Sequence, residues 1–84
     1  MKLYHVCEKH GIQEVEVLNL RDRFFFVKWP EGLEWAYERR LISEKITDGQ
    51  PFFYSKTLAI EALRRIIDAE ARKIEKFRTQ LYTL

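Results

Sequence analysis

The spacing of apolar residues changes near Pro51. Before it, apolar and polar side chains alternate over short segments, which is typical of β-strands. After it, apolar residues recur every three or four positions with no Gly or Pro between them, which predicts one amphipathic helix over 55–83. We therefore predict a single α+β domain spanning 1–84, with a small, strongly bent antiparallel sheet over 2–54 followed by that helix.

Turn-forming residues divide the first part of the chain into strands. The first predicted strand is Lys2–Cys7, and the segments 12–20, 23–29 and 33–41 form a predicted antiparallel meander. After Val17 the alternation of apolar residues shifts by one position, as a β-bulge would cause. A bulge bends its strand, so the shift favours a curved sheet.

The strand 23–29 is apolar on both faces, since Phe24 and Phe26 alternate with Phe25 and Val27. A strand of this kind is covered on both sides or exposes one aromatic face for binding. We expect the helix to cover one face and a barrel interior or a ligand to cover the other.

The expected core is small, because a chain of 84 residues buries only roughly 60% of its unfolded surface. Its composition is nevertheless that of a folded protein, with 46% hydrophobic and 14% aromatic residues. The predicted core consists of Val15, Val17, Phe26, Val27, Trp35, Leu63, Ile66 and Ile67.

The sheet pattern GIQEVEV at 11–17 followed by RFFFVKWPEGLEWA at 23–36 resembles small SH3-like or Tudor-like barrels. The shared features are a bent second strand, an aromatic third strand, a Pro/Gly turn and a Trp-bearing fourth strand. The resemblance covers 2–54 and implies a curled barrel.

The predicted helix is longer than the body it can pack on. Its 28 residues span about 42 Å, whereas a compact body of some fifty residues is only about 25 Å across. The helix should overhang by roughly ten residues that still carry an apolar stripe. The predicted interface is Ile74, Phe77, Leu81 and Leu84, serving a homodimer or, as a second hypothesis, a partner groove. Alternatively, the helix frays after Arg78.

Nucleic-acid binding is the alternative function, although the formal net charge is only +2. Aromatic and basic side chains together suit single-stranded nucleic acid. The candidate contacts are Arg21, Arg23, Arg40, Arg65, Arg72 and Lys76. Acidic residues interleaved with the helix arginines, such as Glu61 and Asp68, favour an ordinary solvated face instead.

Two charged residues fall on otherwise apolar faces, Arg39 in the last strand and Glu70 in the helix stripe. Because a buried charge is tolerated only when paired, a buried Arg39–Glu70 ion pair is one hypothesis. The other is that Glu70 lies at the edge of the stripe and pairs with Lys73 or Lys76.

Three potential soft-metal ligands, His5, Cys7 and His10, lie within six residues. The chain has no second cysteine and no further histidine, so we expect no metal, no cofactor and no disulfide. Phosphate-loop and metalloprotease motifs are also missing, which argues against an enzyme.

These features favour a small non-enzymatic protein-binding module, an accessory or inhibitor protein that occupies a partner's surface. Small, cysteine-poor, single-domain proteins without catalytic motifs are common among phage-encoded factors, so a phage-encoded inhibitor is one such hypothesis. No stretch approaches the ~20 apolar residues of a membrane span, so we expect a cytoplasmic protein without a membrane partner.

Overall fold

The computed structural model describes residues 1–83. It contains a mixed sheet, curled into a half-barrel, and one long C-terminal helix, which confirms the α+β class and the barrel-like shape. The strands are β1 (Lys2–Cys7), β2 (Gly11–Leu20), β3 (Phe24–Lys28), β4 (Glu34–Glu38), β5 (Ile42–Ser43) and β6 (Phe52–Phe53), and the helix is α1 (Lys56–Thr83). Short 3-10 turns lie at Arg39–Leu41 and Ile46–Asp48.

The sheet is not purely antiparallel. Its strand order is β4-β3-β2-β1-β6-β5, and β5 pairs with β6 in parallel, with Ile42 opposite Phe52. The connection between them includes the second 3-10 turn and is held by Ser43, whose buried hydroxyl donates to the Gln50 carbonyl and accepts from the Gln50 N–H, both at 3.1 Å. The β5–β6 pair extends the meander beyond β1.

The predicted bulge is present in β2. Val17 lies opposite Val27, and Asn19, two residues on, lies opposite the next residue back along β3, Phe26. The extra residue is Leu18, which is exposed. Such a bulge increases the local twist and bends the strand, so this position contributes to the curl of the sheet.

Aromatic contacts inside the sheet show how strongly it curls. In a flat sheet β3 and β6 would lie about 14 Å apart, at ~4.8 Å for each strand spacing. The ring centroid of Phe52 in β6 is instead 5.1 Å from that of Phe25 in β3 and 5.0 Å from that of Tyr37 in β4. The sheet therefore curls around the aromatic side chains of its concave face.

Each face of the sheet has its own core. The concave core consists of Leu3, Val15, Val17, Phe25, Val27, Ile42 and Phe52. The convex core lies between the sheet and the helix and consists of Val6, Phe53 and Ala59 with the partly buried Tyr4, Ile12, Ile46, Leu58, Ala62, Leu63 and Ile66.

The helix begins as its sequence predicts. Ser55 is the N-cap: its hydroxyl accepts from the Leu58 N–H at 3.5 Å, and its carbonyl accepts the first helical hydrogen bond from Ala59 at 3.1 Å. The first turns pack on β1, β2 and β6. The β1–β2 turn at Gly11 lies under Leu63.

The predicted core was partly wrong. Val15, Val17 and Val27 are buried as predicted, and Leu63 and Ile66 are partly buried. Three further predicted core residues are exposed, namely Phe26, Trp35 and Ile67.

Each of these errors has a physical reason. Phe26 lies on the convex face of β3, whereas the helix packs mainly on β1, β2 and β6. Trp35 shares the face of Val27 but belongs to the edge strand β4, which has no neighbour on its outer side. Ile67 follows the last helix residue that packs on the body.

Adjacent phenylalanines in β3 provide a test of this arrangement. Phe25 is 0% exposed and Phe26 is 40% exposed. Phe25→Ala should lower the free energy of unfolding by about 3–5 kcal/mol, because it opens a cavity in the concave core. Phe26→Ala, the matched control, should cost about 1 kcal/mol or less. Urea unfolding followed by circular dichroism measures both; equal losses would contradict the assignment of faces.

Candidate protein-interaction surface

The helix extends far beyond the body. The molecule measures 54 × 27 × 20 Å, and the packing of the helix in the convex core ends at Ile66. Every described residue from 71 to 83 is exposed. We call residues 67–83 the projecting helix; at ~1.5 Å per residue it is about 25 Å long. This overhang is longer than the roughly ten residues expected from the sequence.

One side of the projecting helix is apolar. Ile67, Ile74, Phe77 and Leu81, which we call the apolar stripe, are between 51% and 75% exposed. Their spacing of seven, three and four residues places them on one side of the helix. Leu84, the last residue of the predicted interface, lies outside the described residues.

Glu70 interrupts the apolar stripe but is not part of a buried ion pair. Its carboxylate lies 3.5 Å from the Lys73 ammonium, and both side chains are exposed. Arg39 is also exposed and donates to the Arg21 carbonyl at 3.3 Å. The hypothesis of a buried Arg39–Glu70 pair is therefore wrong, and the alternative with Lys73 is confirmed.

The reason lies in the end of the meander. β4 ends at Glu38, and the 3-10 turn that begins at Arg39 breaks the alternation on which the hypothesis depended. In addition, the helix lies mainly over β1, β2 and β6, and β4 is at the far edge of the sheet.

A groove of about 510 Å³ lies where the helix leaves the body. We call it the root groove, and it is lined by Glu8, Leu63, Ile66, Ile67, Glu70, Ala71 and Ile74. Its floor is mainly aliphatic, and it continues directly into the apolar stripe. Sequence reasoning missed this groove, because only the fold brings Glu8 at the end of β1 beside the helix.

The candidate nucleic-acid contacts form two groups on different elements. At the end of the β3–β4 hairpin, Arg23 and Arg40 line a groove of about 330 Å³ together with the half-exposed Phe24. Acidic side chains share this groove, and Arg40 pairs with Glu38. Arg21 lies at the start of the turn between β2 and β3, which also contains Arg23.

The second basic group lies on the helix. Arg65, Arg72 and Lys76 are exposed, and spacings of seven and four residues align them along one side. At ~100° per residue this side points away from the apolar stripe. The two surfaces of the helix can therefore be tested separately.

Of the three potential metal ligands, His5 packs among aromatic rings, whereas His10 is exposed. The His5 ring lies 5.0 Å from the Trp29 ring and 4.9 Å from the Phe52 ring, centroid to centroid. The backbone N–H of His10 donates to Cys7 Sγ at 3.3 Å across the turn. Within residues 1–83 no group of three or more His, Cys, Asp or Glu side chains could hold a metal ion.

His5 is the one imidazole in the aromatic cluster formed with Trp29 and Phe52. Burial among the rings lowers the pKa of His5 from its ordinary value, and the nearby His10 lowers it further. Its Nδ1 is buried without a hydrogen-bond partner among the described residues. A buried ring nitrogen without a partner within residues 1–83 and a lowered pKa of His5 both favour the neutral imidazole.

We found no match to this chain among protein-family models, curated proteins or solved structures. Within residues 1–83 no helix is both long enough and apolar enough to cross a membrane.

The pKa of His5 predicts how stability depends on pH. Because its pKa is lower in the folded state, the unfolded chain binds more protons as the pH falls below the ordinary value of about 6.5. Stability should therefore fall on acidification through this range. Between about pH 7.5 and pH 5.5 the wild type should lose more unfolding free energy than His5→Phe, which cannot protonate.

Chemical denaturation at each pH measures this difference. His10→Gln is the control and should keep most of the wild-type pH dependence, since desolvation is the larger cause of the His5 shift. An identical pH dependence in His5→Phe and the wild type would contradict a half-buried, neutral His5.

Proposed function

We propose that this chain is a small non-enzymatic protein-binding module that acts by occupying a partner's surface, as an accessory or inhibitor protein does. The proposal rests on the apolar stripe, which lies on the part of the helix that extends beyond the body. A contiguous apolar surface of this kind typically marks an interaction site. The root groove extends the same surface onto the body, so the contact area includes more than one helix face.

The chemistry of the stripe favours a protein as the partner. Isoleucine, phenylalanine and leucine side chains gain free energy mainly by leaving water, at about 25 cal/mol per Å² of apolar surface buried. The alternation of three and four residues along 67-70-74-77-81 is the spacing by which helices pack side by side. An amphipathic helix therefore fits this surface well.

Nucleic-acid binding is the second candidate, and the groove around Phe24 favours it. An exposed aromatic ring beside Arg23 and Arg40 could stack on a base while the arginines contact phosphate. Against it, Asp22 and Glu38 lie in the same groove. Binding of this kind would weaken steeply with salt, whereas apolar docking of the stripe would change little.

Affinity capture from a lysate of the native host separates the two candidates. After chemical cross-linking, tagged wild-type protein should retain one defined protein partner, either another protein or untagged copies of this chain, despite nuclease treatment and raised salt. Phe77→Glu/Leu81→Glu should lose that partner, because each glutamate would place a charge in an apolar contact. Thr79→Glu/Thr83→Glu is the matched control: it adds the same charge on the opposite side of the helix and should retain the partner.

Two outcomes would contradict the proposal. Retention of the partner by Phe77→Glu/Leu81→Glu at wild-type level would show that the stripe is not the contact surface. Loss of all bound material on nuclease treatment, with loss of binding in Arg23→Ala/Arg40→Ala, would favour the nucleic-acid candidate instead.

A further inference from the structure

We propose that the partner of the apolar stripe is a second copy of this chain, packed antiparallel along the projecting helix. This inference rests on the proposed function, which assigns the stripe to protein binding, and it adds the identity and direction of the partner. The length of the projecting helix, the position of the body and the distribution of charge each support it.

The side of the helix that the body occupies excludes a parallel pair. The body packs against Ala59, Leu63 and Ile66, on the same side of the helix as the stripe that continues past it. In a parallel pair the bodies of both copies would therefore need the same space between the two helices. An antiparallel pair places the bodies at opposite ends.

The register of an antiparallel pair follows from the stripe. Antiparallel helices alternate their two seam positions, so that Ile74 of one copy faces Phe77 of the other. Glu70 then faces Leu81, and the two-fold axis passes between residues 75 and 76. The midpoint of the projecting helix, 67–83, is residue 75. The projecting helix is therefore centred on the two-fold axis, and the C-terminal end of each helix lies where the body of the other copy begins.

The C-terminal end of each helix would lie at the root groove of the other copy. In this register Leu81 of one copy is level with Glu70 of the other, and Tyr82, which is almost fully exposed, is level with Ala69. The groove between Glu8 and the helix therefore lies directly in line with the end of the neighbouring helix. An aliphatic groove of about 510 Å³ is large enough to take such side chains.

The charges also favour the antiparallel direction. A parallel pair would place the two Glu70 carboxylates in one layer and would bring Lys73 near Arg78 of the second copy. The antiparallel register separates the carboxylates by eleven residues, about 16 Å along the axis. In this register the levels of Arg78 in one copy and Glu75 in the other differ by only about 3 Å along the helix axis. The existing Glu75–Arg78 pair at 3.6 Å is exposed and free to extend across the axis.

The size of the contact sets the expected strength. Two helix segments about 25 Å long and ~10 Å wide form an interface at or below the low end of the standard size, which is about 1,200 Å². Such interfaces are usually weak and reversible. We therefore expect a dissociation constant of about 50 μM or weaker, so that the chain exchanges between one copy and two.

Sedimentation equilibrium of the full chain from about 1 μM to about 1 mM tests whether two copies associate. The wild type should shift from monomer to dimer mass, with little dependence on salt. Phe77→Glu/Leu81→Glu should weaken association at least ~30-fold, the effect of losing central contact residues. Thr79→Glu/Thr83→Glu should behave as the wild type. Both pairs lie outside the cores, so circular dichroism should show an intact body.

A spin-label distance tests the direction. In a Cys7→Ser/Lys9→Cys background, one nitroxide is placed on the β1–β2 turn, which lies at the level of Leu63. The antiparallel register separates the two Leu63 levels by twenty-five residues, about 37 Å along the axis. A pulsed electron–electron measurement should give a separation of about 37 Å or more.

The results distinguish this inference from the proposed function. A dimer with a label separation below about 25 Å, well under the axial offset expected from helix geometry, would overturn the antiparallel arrangement. A wild type that stays monomeric throughout would overturn the second copy, while partner capture through the stripe would still support protein binding. Failure of both experiments would overturn the proposed function as well.

Discussion

Phe52 meets Phe25 and Tyr37 inside the curl of the sheet, and this contact determines the size of the body. Because strands at a distance in the sheet are brought together, aromatic rings fill the concave face and leave no room there for a helix. On the convex face the helix packs only as far as Ile66. The rest of a helix of 28 residues must therefore extend into solvent. The projecting helix is thus a consequence of the curl.

Elements with a local signal were predictable from the sequence. The sequence pattern predicted β1 with its observed bounds, and the shift in the alternation of apolar residues after Val17 indicated the bulge. Ser55 marked the start of the helix, which runs to Thr83 as expected. By contrast, β5 and β6 have two residues each, which is too short to show a period. Their parallel pairing depends on how the chain returns past β1, and no local pattern encodes that.

Errors occurred where a residue's environment depends on distant parts of the chain. Both faces of β3 are apolar, so alternation could not distinguish the buried Phe25 from the exposed Phe26. The stripe was readable from its spacing, but the point at which the body ends was not, and Ile67 was misplaced for that reason. The Arg39–Glu70 hypothesis failed because it assumed that the helix covers the edge of the meander. Periodicity identifies a surface, whereas the fold decides what covers it.

Amide hydrogen exchange at two protein concentrations tests most directly whether the projecting helix requires a partner. A helix segment of this length without tertiary contacts is only marginally stable in water. At a few micromolar, where the chain is largely a single copy, amides in 67–83 should exchange quickly, and at about 1 mM they should become protected. Amides of the convex core, such as Val6 and Phe53, should not change. Equal exchange of 67–83 at both concentrations would contradict the account.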